Sequence, residues 1–348
     1  MNGLFNEFGL ISIFITSLLL ALLLMPAMRY LAMRFHIIDV PGERKVHENE
    51  VPLLGGLAFA LAFILAALLF VELTPIHQAL LAGLVIILIT GLVDDIRHLN
   101  PYLKFAGEIL ASLVFLLAGG VAITSFGDLV GSGPLTTGRY AIPVSVFCMV
   151  GVMNAINMMD GLDGLAGGVS LIGTLFLAWF AFVTGQSLHL GLLVALAGGL
   201  LGFLYFNRYP ARIFMGDTGS LVLGYLLSAL CIAMVQPVGG QVLVLPVSMA
   251  IIMGLPIVDA MLLMSVRILH GKNPFKPDKT HLHDRLQRLG FNHPRTVHVI
   301  YAMMATCGLL AVLVRHAGET QQFVAGAIYA CLLFGSVYLL NYLTVKRV

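Results

Sequence analysis

The sequence predicts an all-α integral membrane protein, a polytopic bundle of about eleven transmembrane helices. Three observations carry that expectation. Of 348 residues 59% are hydrophobic and 10% charged, and the mean hydropathy is +0.98; a soluble globule carries charge on roughly a quarter of its residues. Apolar runs of a length suited to a ~30 Å hydrocarbon core recur along the whole chain. When eleven spans are counted, every Lys and Arg of the 19 except Arg139 and Arg315 falls on one side.

The first run covers about 10–28. Its short leader carries Glu7 and no Lys or Arg, and no small-residue cleavage pattern precedes Arg29, so it reads as a retained helix and not a signal peptide. Further runs lie near 52–71, 77–93, 105–123, 140–157, 167–184, 188–206, 219–235, 242–266, 296–314 and 322–343. Those near 77–93 and 219–235 are only just long enough to span. The basic loops place the N-terminus outside and the C-terminus in the cytoplasm by the positive-inside rule. The longest polar stretches, 29–51 and 267–295, lie on the basic side, so chemistry is expected there.

No internal repeat or hydrophilic segment divides the chain, and residues 1–348 read as one membrane domain. The net charge of +2 hides the asymmetry of the loops; it implies attraction to anionic lipid headgroups and no nucleic-acid partner. Cys148, Cys231, Cys307 and Cys331 lie inside apolar runs without metal-ligand spacing and read as packing residues.

Five aspartates, Asp94, Asp95, Asp160, Asp163 and Asp217, stand at the ends of apolar runs that open on the basic side. Two carboxylates ~4 Å apart repel by roughly 4 kcal/mol at an effective dielectric of ~20, so such a cluster normally holds a cation. Asp94 and Asp95 end the third run in GLVDDIRHLNPYLKF, followed by Lys104 and Glu108. As a bare pair they would be boundary charges in a polar turn; as part of a site, one binds metal while its neighbour acts as a base or holds a partner. After the fifth run, NAINMMDGLDGLAGG brings Asn154, Asn157, Asp160 and Asp163 among glycines that let backbone approach a ligand closely. Asp217, in NRYPARIFMGDTGSL, is either a simple N-cap or a carboxylate beside free helix amides, suited to Mg²⁺ and phosphate.

The largest loop reads VRILHGKNPFKPDKTHLHDRLQRLGF. His281 and His283 lack the further ligands of a closed zinc site; beside Lys279, Arg285 and Arg288 they fit donors to a pyrophosphate, or a basic amphipathic segment lying on headgroups. The first basic loop adds Arg44, Lys45 and His47, which also serve as topological anchors. Asp259 lies inside the ninth run, where an ionisable group is costly and usually paired or functional.

Together these segments, from PGERKVH near 41 to HLHDRLQRLGF near 291, resemble the polyprenyl-phosphate N-acetylhexosamine-1-phosphate transferases, the membrane family that contains WecA, TagO and MraY. The resemblance implies transfer of a sugar 1-phosphate from a UDP-sugar to a lipid-linked phosphate, with release of UMP and a need for Mg²⁺ or Mn²⁺. It also implies roles. Asp94 and Asp95 match the DD motif, Lys104 a phosphate-contacting lysine, Asp217 the metal-binding aspartate, and Asn157 an asparagine near the metal. Asp160 and Asp163 belong to the DGLDG segment near the nucleotide sugar and stand with Asp94 and Asp95 as the catalytic candidates; Lys104, Asn154, Lys45, His281, His283 and Arg285 are the substrate-binding candidates. Asp284 stands where the WecA and TagO type commonly has a third histidine, and the three consecutive histidines of MraY are absent.

On this resemblance the donor is UDP-GlcNAc, with UDP-GalNAc, UDP-QuiNAc and UDP-FucNAc as alternatives, and the acceptor is undecaprenyl phosphate in a bacterial cytoplasmic membrane. The apolar outward half is compatible with a homodimer. Direct attack by the acceptor and a two-step path through a phospho-aspartate are both chemically open. The reading of another class is an ion-coupled transporter, prompted by Asp259 and Glu108. Transport sites lie near the bilayer midplane, whereas the acids here gather at the ends of the runs.

Overall fold

Each apolar run is helical in the computed structural model, which describes residues 7–39, 50–269, 271 and 281–345. The first half comprises α1 (Glu7–Arg34), α2 (Gly55–Phe70), α3 (Pro75–Arg97), α4 (Pro101–Gly119), α5 (Ala141–Met159) and α6 (Leu165–Val183). The second comprises α7 (Ser187–Asn207), α8 (Gly216–Met234), α9 (Pro246–Ile252), α10 (Gly254–Leu269), α11 (Leu282–Arg288), α12 (His293–Val314) and α13 (Glu319–Val345). A two-residue ladder, β1 (Ile38–Asp39) against β2 (Val51–Pro52), is antiparallel. Among the described residues nine helices are long and apolar enough to cross a membrane. The chain is an all-α polytopic membrane protein.

Two of the eleven expected spans depart from a simple crossing. The run near 242–266 is not one helix: α9 and α10 meet at a 74° bend. Pro256 has no N–H to offer the Ile252 carbonyl four residues back, and its ring crowds that carbonyl, so the helix ends and restarts at Gly254. The run near 52–71 yields α2, whose 16 residues reach about 24 Å at 1.5 Å per residue, short of a ~30 Å core.

The bundle is organised around α8, in which every residue from Thr218 to Met234 is buried. It lies against α3 and α5 along most of its length and against α2 and α6 over shorter stretches. Lipid offers no hydrophobic drive for one helix to prefer another, so close backbone approach and interhelical hydrogen bonds must supply it. Gly224 packs directly on the Met153 backbone, and Gly56 on the Gly219 backbone. Tyr225, fully buried, donates its hydroxyl to the Leu80 carbonyl of α3 at 2.9 Å.

The start of α2 lacks a side-chain cap; its amides are satisfied from elsewhere in the chain. Gly55 N–H donates to the Phe214 carbonyl at 2.9 Å and Gly56 N–H to the Met215 carbonyl at 3.1 Å, while Phe214 N–H donates to Pro52 at 2.8 Å. These bonds seat the segment before α8 on the start of α2. Replacing Gly56 by Val would drive a branched side chain into the Gly219 and Met215 backbone, and is expected to destabilise the fold by about 1–3 kcal/mol. Thermal unfolding in detergent would read this as a lowered midpoint; an unchanged midpoint would contradict the packing described.

Candidate active site

The acidic residues gather because the ends of α3, α5 and α8 and the start of α4 meet at one end of the bundle. Asn100 caps α4, its Oδ1 accepting the Tyr102 amide at 3.0 Å, and Pro101 occupies the first helical position. That start sets Lys104 in the first turn. Its Nζ lies 3.0 Å from Asp94 Oδ2 and 2.8 Å from Asp217 Oδ1, bridging α3 to α8. Asn157, in the last turn of α5, donates Nδ2 to Asp217 Oδ1 at 2.5 Å and to Ser220 Oγ at 2.8 Å; its own Oδ1 is 3.5 Å from Lys104 Nζ.

Asp94 and Asp95 are adjacent in sequence and differ in surroundings. Asp95 closes the start of α8, for which the local sequence supplies no side-chain cap. Its Oδ1 accepts the Asp217 amide at 2.7 Å, and its Oδ2 accepts the Thr218 amide at 3.0 Å and the Thr218 hydroxyl at 2.5 Å. Gly216, at φ +67°, leaves no Cβ in the way of that carboxylate. Asp94 Oδ1 accepts the Leu99 amide at 2.8 Å where α3 ends, and Oδ2 is held by the Lys104 ammonium.

A cavity of about 410 Å³ opens beside this group, walled by Asp95, Asn157, Asp160, Asp163 and Asp217 together with Asn207 and Phe214. Asp160 is exposed and lines the cavity. Enclosure, with the like charges of Asp217, Asp95 and Asp163 adding to it, pushes its carboxyl up to about 7. Asp163 accepts the Ala211 amide on Oδ2 at 2.8 Å, tying the DGLDG segment to the chain between α7 and α8. Asn207 reinforces that tie, accepting from Gly164 N–H at 3.0 Å and donating to the Ile213 carbonyl at 2.9 Å.

The histidine segment reaches the same wall from outside. Leu282 N–H donates to Asp259 Oδ1 at 3.1 Å, and His281 Nδ1 is 3.8 Å from Asp259 Oδ2, so the acid inside α10 anchors the start of α11. His283 lies on Gly161, where a Cβ would collide with its ring.

None of the described substrate-contact candidates lines the cavity: Lys104 lies behind Asp217 and Asn157, His283 lies on Gly161, and His281, Asn154 and Arg285 are off its wall. Asn154 is not on the cavity wall; its Nδ2 donates to Glu108 Oε2 at 2.5 Å and to the Val150 carbonyl at 2.9 Å, holding α4 to α5. Arg285 is 1% exposed and is not on the wall either. Lys45 lies outside the described residues, as do Arg44 and His47.

The sequence reading did not single out Asp39, His98, Asn207, Phe214 or His293, all of which line the cavity. His293 opens α12, with Nε2 3.3 Å from the Asp163 carbonyl and its ring 4.4 Å from that of Tyr209. It stands alone after the HLHD segment and carries no spacing signal. Asn207 opens the NRYPAR segment, close enough to Asp217 to have been grouped with it.

The oxygen-rich donor set suits a hard divalent cation. Among the described residues no three His, Cys, Asp or Glu side chains converge into a closed cage.

These features define a polytopic membrane protein with an acidic, lysine-bridged cavity at one end. Comparison with known proteins agrees on the class. The description of glycosyl transferase family 4 matches residues 77–235, the part that carries Asp94 through Asp217. The chain is 36% identical over 313 residues to the probable undecaprenyl-phosphate N-acetylglucosaminyl 1-phosphate transferase of Bacillus subtilis, covering 87% of this chain and 84% of that one. It is 32% identical over 344 residues to the decaprenyl-phosphate N-acetylglucosaminephosphotransferase of Mycolicibacterium smegmatis, covering 90% and 84%. It is 27% identical over 320 residues to the undecaprenyl-phosphate alpha-N-acetylglucosaminyl 1-phosphate transferase of Escherichia coli K12, covering 89% and 85%. The chain belongs to glycosyl transferase family 4.

Truncating Asp95 to Ala would strip the cap from buried amides and is expected to destabilise the protein by about 1–3 kcal/mol. Asn, able to satisfy only part of the set, should fall between. Equal thermal midpoints for wild type and Asp95→Ala would argue against the cap.

Proposed function

We propose that the protein transfers GlcNAc-1-phosphate from UDP-GlcNAc to undecaprenyl phosphate in a bacterial cytoplasmic membrane, releasing UMP. The observation that carries this reading is Lys104 set between Asp94 and Asp217, the latter on the wall of a cavity of about 410 Å³. The names of the relatives agree with it. The described basic residues Lys104, Arg208 and Arg212 stand at or beside this end of the bundle, and by the positive-inside rule that supports a cavity open to the cytoplasm, where sugar nucleotides are found.

An acceptor phosphate oxygen attacks the β-phosphorus of the donor; the bond from that phosphorus to the bridging α–β oxygen breaks, and UMP departs with the electron pair. Two anions must first be brought together, and Lys104 lowers that cost through its ammonium. Asp94 accepts the acceptor's remaining proton. It suits this role better than its neighbour: Asp95 is committed on both oxygens to the start of α8, whereas Asp94 gives one oxygen to the Leu99 amide and holds the other toward the Lys104 and Asp217 side chains, of which the lysine can turn to phosphate. Direct attack therefore needs no aspartyl intermediate.

Asp217 and the Asn157 amide oxygen would hold Mg²⁺ or Mn²⁺, which supplies electrostatic stabilisation to the phosphate oxygens. Asp160 and Asp163, with Asn207 and Phe214, form the wall against which the nucleotide sugar rests. A transporter reading gains little from the geometry: the two acids inside helices are tied to local partners, Glu108 to Asn154 and Asp259 to the start of α11, and the other acids of the site gather at helix ends.

Purified protein with undecaprenyl phosphate, Mg²⁺ and a panel of UDP-sugars should release UMP only when lipid and metal are both present, and fastest with UDP-GlcNAc. Absence of UMP from every UDP-HexNAc, with folded protein and accessible lipid, would overturn the proposal. Asp94→Asn is expected to lower kcat by about 10²–10⁴-fold, the range for loss of a general base, with little change in donor KM. Asp217→Asn should abolish the metal-dependent rate.

A further inference from the structure

His98 has no role in the transfer steps above, yet it is exposed and lines the cavity. It closes α3 at φ +50° and ψ +78°, its N–H donating to the Asp94 carbonyl at 2.8 Å. That left-handed step turns the chain so that the next amide, of Leu99, reaches Asp94 Oδ1 at 2.8 Å. A residue with a Cβ is strained there, and helices that end in this way usually close on glycine. The chain does so at its next helix end, where α4 closes on Gly120 at φ +64°. Glycine would make the same turn at position 98 and hold Asp94 equally well, so the backbone does not account for the imidazole.

The cavity wall does account for it. Its ionisable groups are the carboxylates of Asp39, Asp95, Asp160, Asp163 and Asp217 and the imidazoles of His98 and His293. A phosphate held against those acids needs N–H donors, and most on the wall are already committed. Asn157 gives its amide nitrogen to Asp217 and Ser220, and Asn207 gives its own to the Ile213 carbonyl. His293 is turned to the Asp163 carbonyl at 3.3 Å and lies against Tyr209. Among the described residues the His98 ring has no hydrogen bond, ion pair or ring contact, which leaves it open to a ligand. Its place favours the acceptor over the donor. The nucleotide-sugar wall comes from the DGLDG segment and the chain around α7 and α8, whereas His98 stands one turn past Asp94, the proposed proton acceptor. Exposed Ile96, Tyr102 and Leu103 make the surface around the α3–α4 turn apolar, which suits a polyprenyl chain arriving from lipid.

We propose that His98 binds the acceptor: its ring N–H donates to a phosphate oxygen of the polyprenyl phosphate and holds that phosphate beside Asp94. This rests on the reading that the cavity receives a polyprenyl phosphate. A neutral imidazole carries one N–H, so the contact needs no titration of the ring. The strained cap is then explained by use, as strain kept at functional sites commonly is.

The test is UMP release by the full chain in detergent, with undecaprenyl phosphate and UDP-GlcNAc varied separately and thermal unfolding measured beside it. His98→Gly removes the ring and relieves the left-handed turn, so its thermal midpoint should equal or exceed that of wild type. Its KM for undecaprenyl phosphate should rise about tenfold or more, the scale of one hydrogen bond to a charged group, while the KM for UDP-GlcNAc stays near wild type. His98→Gln, which keeps an N–H donor, should recover most of the acceptor affinity. A lowered midpoint in His98→Gly would make the ring structural, and a raised KM for UDP-GlcNAc in place of the acceptor's would assign it to the donor. An unchanged acceptor KM, or His98→Gln as impaired as His98→Gly, would show that the ring makes no such hydrogen bond. Each of these results would overturn the inference while leaving wild-type UMP release intact. No UMP from folded wild type with any UDP-HexNAc and accessible lipid would instead sink the transferase reading, and this inference with it.

Discussion

The start of α8 is where the rest of the site is decided. A helix that begins inside a bundle presents amides that water cannot reach, and leaving them bare costs free energy for each. The chain before α8 offers no side chain to take them. Asp95 arrives from the end of α3, more than a hundred residues earlier, and receives two amides and a hydroxyl on its two oxygens. Once α8 starts there, Asp217 has one place to be, and Lys104 and Asn157 can converge on it. A buried carboxylate is itself expensive unless it is fully hydrogen-bonded. Here the two costs offset each other.

Around that point the molecule repeatedly satisfies one element's backbone with another's groups. The first amides of α2 use carbonyls of 214–215, the amide of Ala211 uses Asp163, and that of Leu282 uses Asp259. Such exchanges have a functional consequence. They lock short polar segments to helix ends without long loops, so charged side chains are held to definite positions at the membrane boundary. Asp259 illustrates the point: an acid inside a helix, costly in apolar surroundings, serves to seat the histidine segment against the bundle.

The paired aspartates show how equal sequence neighbours acquire unequal work. Side chains at consecutive helix positions point about a hundred degrees apart, so Asp94 faces Lys104 and Asp95 faces α8. One carboxylate is bound by groups that cannot leave without unwinding a helix. The other keeps one backbone amide, that of Leu99, and turns its second oxygen to a flexible ammonium whose preference can pass to a phosphate. Differences in the mobility of the partners, more than in the acids themselves, separate the positioning group from the proton acceptor in the mechanism proposed.

Composition, apolar run length and motif order by themselves determined the membrane class, the helical stretches and the clustering of Asp94, Asp95, Asp160, Asp163 and Asp217, because those properties are local and repeat along the chain. The break at Gly254 was written in Pro256 but masked by continuous hydrophobicity on both sides. Only the tertiary structure decided that Asp95 caps α8, that Asn154 serves Glu108 and not the cavity, and that His293 and Asn207 join its wall. The physical reason is that a polar side chain takes its role from whichever unsatisfied group reaches it, and those groups come from elements far away in the sequence.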